Sequence, residues 1–135
     1  MTTSDTLGHD LADAVTDVAK LLIREGVRVN RTALSVLDTL RTGPRRITDL
    51  AACEFVSQPA MTNLVSRLEE EGWVERRPDP TDGRAVNVAV TKAGVATVEA
   101  ALEARADALR KRIEPLSAAD RAAIANAIAA LKKLL

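Results

Sequence analysis

The side chains best suited to chemistry lie together in one run: Ser57, Gln58, Pro59, Thr62, Asn63, Ser66 and Arg67. Interleaved with them, Met61, Leu64, Val65 and Leu68 recur at i, i+3, i+4 and i+7, which predicts a helix with that stripe buried. The opposite face is then short, polar and nearly uncharged. Hydroxyl and amide groups both donate and accept hydrogen bonds, the property needed to read base edges in a major groove. A helix face that is merely solvated more often shows Glu and Lys. Here Glu69, Glu70 and Glu71 gather at the C-terminal end, away from a duplex that the helix would enter by its N-terminus.

Basic residues flank this run. Arg76 and Arg77 precede the turn-forming stretch Pro78-Asp79-Pro80-Thr81-Asp82-Gly83, and Arg84 follows it. A long cation at the tip of so polar a loop has no buried role, and it suits the narrow, electronegative minor groove. Arg45 and Arg46 lie just before a short helix, where phosphate contact and simple solvation both remain open; the same two readings apply to Arg76 and Arg77. Bulk charge decides nothing, because 19 basic residues balance 19 acidic ones. The distribution is more telling: basic segments at 24–46 and 76–92 flank an acidic one at 49–75.

Other chemistries are poorly served. No pair of carboxylates sits with a nucleophile in an apolar context, so general acid–base catalysis is not expected. One Cys and one His, Cys53 and His9, cannot supply a zinc site, and no cofactor is expected. Cys53, in an Ala-rich helix, reads as packing rather than as a redox sensor, and His9 reads as solvated. No apolar run spans a bilayer, and Asp5, Asp10 and Asp13 stand where a signal peptide would be basic, so no membrane partner and a cytoplasmic location are expected.

These side chains must be positioned by the elements around them. Leu11, Val15, Val18 and Leu22 predict a first helix over 8–25, with Gly26 as its stop. Leu34, Leu37 and Leu40 predict a second over 31–41, closed by Gly43-Pro44, and a third covers 47–54. Ser57 caps the fourth, Pro59 fits its first turn, and it stops at Gly72. Two β-leaning runs, 73–77 and 85–91, flank the turn formers and read as a hairpin. Thr91 can cap a long helix over 92–114 ended by Pro115, and Ser117-Ala118-Ala119-Asp120 fits a capping box for a last helix to Leu135. With only Phe55 and Trp73 as aromatics, the core must be aliphatic.

The order defines a mostly α fold with a small β-hairpin wing: a winged helix-turn-helix with long terminal dimerisation helices. The chain reads as one domain, 1–135, with a DNA-binding lobe at 33–91 and dimerisation helices at 8–28 and 92–135. Val95, Val98, Leu102, Leu109, Ile113 and Leu116 keep a heptad-like phase, and Ile124, Ile128, Leu131 and Leu135 continue it in the last helix. Together with Leu11, Val15 and Val18 these stripes are too few and too Ala-rich to close a separate core within one chain, so a second copy is the natural partner; packing against the winged module alone is the other reading.

The stretch Val56-Ser57-Gln58-Pro59-Ala60-Met61-Thr62-Asn63-Leu64-Val65-Ser66-Arg67-Leu68-Glu69 resembles the recognition helix of the MarR family. Glu71-Gly72-Trp73-Val74-Glu75-Arg76 and Arg77 to Arg84, closing with Val88-Ala89-Val90-Thr91-Lys92-Ala93-Gly94, resemble that family's wing. The resemblance implies a homodimer straddling a pseudo-palindromic double-stranded DNA operator, with Asp82, Gly83 and Arg84 at the wing and Arg84 reaching the minor groove. It also implies a repressor relieved by a small-molecule effector, usually aromatic or phenolic. This chain departs from many relatives at Asn63, where they are basic, and at Gly83, where they carry a second Arg. Its scarcity of aromatics leaves an effector aliphatic, weakly bound or absent. A winged helix used for protein interaction, without sequence reading, is the alternative.

Overall fold

Residues 3–25 and 30–135 are described by the computed structural model. Gly26 and Arg28, at the expected end of the first helix and of the first dimerisation segment, lie outside them. In chain order the elements are helix α1 (Ser4–Arg24), α2 (Arg31–Leu40), strand β1 (Arg45–Arg46), α3 (Ile47–Cys53), α4 (Gln58–Glu70), β2 (Val74–Pro78), β3 (Val86–Val90), α5 (Lys92–Ile113), α6 (Ala118–Leu131) and a 3-10 turn (Lys132–Leu134).

Local chemistry accounts for the boundaries. α1 begins earlier than expected because Thr3 is its N-cap, its hydroxyl accepting from the Thr6 N–H at 3.3 Å. The expected caps at Ser57, Thr91 and Ser117 all form, accepting from the N–H groups of Ala60 (3.2 Å), Gly94 (3.1 Å) and Asp120 (3.1 Å). α4 closes in the usual left-handed way at Gly72, with φ +79° and the Trp73 N–H on the Leu68 carbonyl at 2.9 Å. α3 closes by the same two-bond pattern, yet the left-handed residue is Phe55, at φ +54°. The Val56 and Phe55 N–H groups donate to Ala51 and Ala52 at 3.1 and 3.3 Å.

The wing has one more strand than the expected hairpin. β2 and β3 pair antiparallel from Val74 opposite Val90 to Pro78 opposite Val86, and β1 adds to the far side of β3, with Arg45 opposite Val88 and Arg46 opposite Asn87. Two residues between Gly43-Pro44 and a helix are too few to show any alternation.

The chain forms two compact units, and the division falls inside α5 rather than at its start. The first unit, Arg28–Glu103, holds the aliphatic core: Val36, Leu37, Leu50, Met61, Val65, Val88 and Val98 are fully buried, and Trp73 packs against their edge. Val98, read from its heptad phase as a dimer position, thus belongs to this core, and residues 92–103 serve the winged unit. Cys53 is exposed rather than packed. His9 is solvated, as expected, with its Nδ1 2.8 Å from the Asp5 carbonyl.

The second unit joins Met1–Val27 with Ala104–Leu135. Neither α1 nor α6 buries a single residue. Leu11, Leu109, Ile113 and Ile124 are half-buried, whereas Val15, Val18, Ile128 and Leu131 are exposed. Arg112 hydrogen-bonds the Glu25 carboxylate, and this bond holds the Glu25 carboxyl below its ordinary range. No described helix is long and apolar enough to cross a membrane.

Candidate nucleic-acid interface

The buried stripe of α4 is the one the periodicity requires: Met61, Leu64, Val65 and Leu68 all lie in the core. Their burial fixes the helix rotation, so Gln58, Pro59, Thr62, Asn63 and Arg67 face solvent. Among the described residues, the side chains of Gln58, Thr62, Asn63 and Arg67 have no hydrogen-bond partner, and their donors and acceptors are open to a ligand. Ser57 also faces solvent. Its oxygen is engaged in the cap, which leaves its O–H as a donor.

Ser66 is placed differently. It is half-buried and accepts from Arg76 Nη2 at 3.2 Å, while Arg76 Nη1 reaches Glu69 at 3.1 Å. Strand β2 is thereby laced to α4, and Ser66 and Arg76 serve each other rather than standing free.

The remaining cations sort by the same test. Arg77 pairs with Glu75. Arg45 folds back onto its own turn, donating to the carbonyls of Gly43 and Pro44 at 3.3 and 3.0 Å and to the Thr42 hydroxyl at 3.1 Å. Arg46 donates through Nε and Nη2 to Asp79 at 3.1 and 2.9 Å. Arg84, by contrast, is exposed with its guanidinium unpartnered among the described residues, and its backbone N–H is held by the Asp82 carboxylate at 3.1 Å. Gly83 has open space around it.

Asp79, beside the candidate site, is the residue that sequence reasoning does not single out. In sequence it is one turn former among several, yet in the structure it is the one buried charged side chain among the described residues, 8% exposed. Its Oδ1 accepts from the Thr81 N–H (2.8 Å), the Thr81 hydroxyl (2.8 Å) and the Asp82 N–H (3.3 Å), and its Oδ2 takes Arg46. The two Thr81 bonds, then Arg46, hold its carboxyl far below the usual range, and the same contact raises the Arg46 guanidinium. Both groups therefore stay charged at any pH near neutrality. The available signal was Asp-Pro-Thr, an Asp two residues before a Thr whose N–H and hydroxyl it can accept from.

One further contact fixes the base of the wing. The Thr91 N–H donates to the Trp73 carbonyl at 3.0 Å and its hydroxyl to the Gly72 carbonyl at 2.6 Å. Gly94, in the first turn of α5, lies against the same Trp73 carbonyl, so closely that a Cβ there would stand 2.1 Å from the oxygen.

Comparison with known proteins gives a consistent picture. The sequence profile of the MarR family matches residues 29–85. The HTH-type transcriptional regulator ML2140 of Mycobacterium leprae is 35% identical over 132 residues, which is 96% of this chain and 92% of that protein. The HTH-type transcriptional repressor IacR of Pseudomonas putida is 26% identical over 77 residues, 57% of this chain and 46% of its own length. Among solved structures, apo MarR from E. coli superimposes with a TM-score of 0.75 at 27% identity, covering 96% of each chain.

Proposed function

The chain belongs to the MarR family of DNA-binding transcription regulators, and from that premise we propose that it reads a pseudo-palindromic double-stranded operator as a homodimer. α4 lies in the major groove with Gln58, Thr62 and Asn63 at base edges, and Arg84 reaches into the neighbouring minor groove. The observation that carries this reading is the contrast within one surface. Among the described residues the side chains of Gln58, Thr62, Asn63 and Arg67 on α4 and the wing-tip Arg84 are unpartnered, while Arg45, Arg46, Arg76 and Arg77 are each engaged by protein groups.

Dimerisation is supported by the exposed apolar side chains of Val15, Val18, Ile128 and Leu131 on helices that bury nothing within their own chain. We take the regulator to be a cytoplasmic repressor, in keeping with the name of IacR, whose block is lifted by a small effector. With Phe55 exposed and Trp73 packed against the core, few aromatic side chains remain to stack on such a ligand, which favours an aliphatic one.

The test is footprinting across the DNA upstream of the gene, with a salt series on the protected fragment and on random DNA. The expected result is two protected half-sites about one helical turn apart and tighter binding to the operator at every salt. Equal affinity for both DNAs would favour a winged helix used for protein interaction. Sedimentation as a folded monomer at micromolar concentration would overturn the dimer.

A further inference from the structure

The wing tip ends in a side chain with no partner among the described residues, yet the backbone that carries it is tied down link by link. Asp79 follows the last residue of β2, and its N–H donates to the Ala85 carbonyl at 3.0 Å, closing the loop at its base. Its carboxylate then gathers the N–H groups of residues 81 and 82 from inside the loop. The Ala85 N–H returns to the Asp82 carbonyl at 3.0 Å, and the Asp82 carboxylate holds the Arg84 N–H. At the other end, Arg46 reaches the same carboxylate from β1, a strand on the far side of the sheet from β2 and 33 residues away in sequence. Residues 80–84 are all exposed, so these bonds rather than buried apolar surface set the shape of the loop.

We propose that Asp79 is the positioning residue of the wing, and Arg46 its strut: together they set the pose from which Arg84 reaches DNA. Arg46 is then no phosphate ligand, although its sequence position suggests one. Its fork is spent on a carboxylate, and its contribution to binding passes through the wing. Neither residue touches nucleic acid. The proposal rests on the reading of Arg84 as a DNA contact, and the experiment separates the two.

The experiment is a double-mutant cycle on operator binding by the intact dimer, using Asp79→Asn, Arg84→Ala and the pair. Asp79→Asn keeps the shape of the side chain but removes the anion and turns an NH2 toward donors. Arg84→Ala is expected to weaken binding on the order of tenfold, the scale of losing a charge-assisted contact. Asp79→Asn should weaken it similarly, with faster amide exchange confined to 81–85, and the double variant should lose little more than either single one. Arg46→Gln, at a half-exposed site, should show the same lack of additivity and serves if Asp79→Asn does not fold. Losses that multiply in the double variants, with Arg46→Gln lowering the salt dependence independently of Arg84, would make Arg46 a phosphate contact and overturn the positioning role alone. Unchanged binding by Arg84→Ala would remove both readings.

Discussion

Replacing Gly94 by Ala adds one methyl group where the wing runs into α5, and the structure leaves no room for it. The new carbon would stand 2.1 Å from the Trp73 carbonyl oxygen and 2.7 Å from Val90 Cγ2, and a real Cβ essentially never comes within 3.0 Å of another heavy atom. Val90 can turn, but the Trp73 oxygen is backbone, so the start of α5 must move away from the end of the sheet by about 1 Å, the difference from an ordinary contact. That shift loosens the bonds Thr91 makes to the Trp73 and Gly72 carbonyls and the cap from Thr91 to Gly94 itself. At roughly 1 kcal/mol for each such bond the loss is about 3 kcal/mol. The better helix propensity of Ala returns about 1 kcal/mol, which leaves Gly94→Ala destabilised by about 2 kcal/mol. Urea titration at fixed protein concentration should show a lower midpoint with an unchanged slope, and Tm should fall by roughly 5–10 °C. A variant as stable as the parent, or more so, would mean that helix propensity governs this position, and the argument from close approach would be refuted.

Asn63→Ala should lower affinity for the operator more than for random DNA, by about 1–3 kcal/mol of discrimination if the amide makes a bidentate base contact. Ser66→Ala should discriminate less, because the Ser66 hydroxyl is already engaged by Arg76; anisotropy titrations on the two DNAs measure both. Arg84→Ala should reduce the dependence of log K on log salt by about two units per dimer, with far-UV circular dichroism and sedimentation unchanged. Phe55→Gly should raise stability by roughly 0.5–1 kcal/mol in urea titration: a left-handed backbone costs a side chain about 1–2 kcal/mol, glycine's extra chain entropy offsets part of that, and a ring 96% exposed has little packing to lose.

What the sequence determined by itself was local. The stripe Met61, Leu64, Val65 and Leu68, the caps at Ser57, Thr91 and Ser117, and the turn formers between β2 and β3 all act over a few residues, so helix identity, the rotation of α4 and the exposure of Gln58, Thr62 and Asn63 could be read before any fold was known. The exposed apolar residues of α1 and α6 were legible for the same reason, since periodicity shows a stripe that must find a partner. The rest required the chain to be folded. β1 exists because Arg45 and Arg46 lie beside β3, a pairing over more than 40 residues that two residues of sequence cannot announce. Val98 keeps the phase of a dimer position and is nonetheless core, because periodicity gives the buried face of a helix but not what covers it. Most consequential for the site, six arginines are alike in sequence as candidate DNA contacts, and only tertiary structure decides that Glu75, Glu69, Asp79 and the carbonyls of a turn occupy four of them and leave Arg67 and Arg84 without a partner among the described residues. A cation's availability depends on which acceptors the fold brings within about 3 Å of it, and for Arg46 that acceptor is 33 residues away.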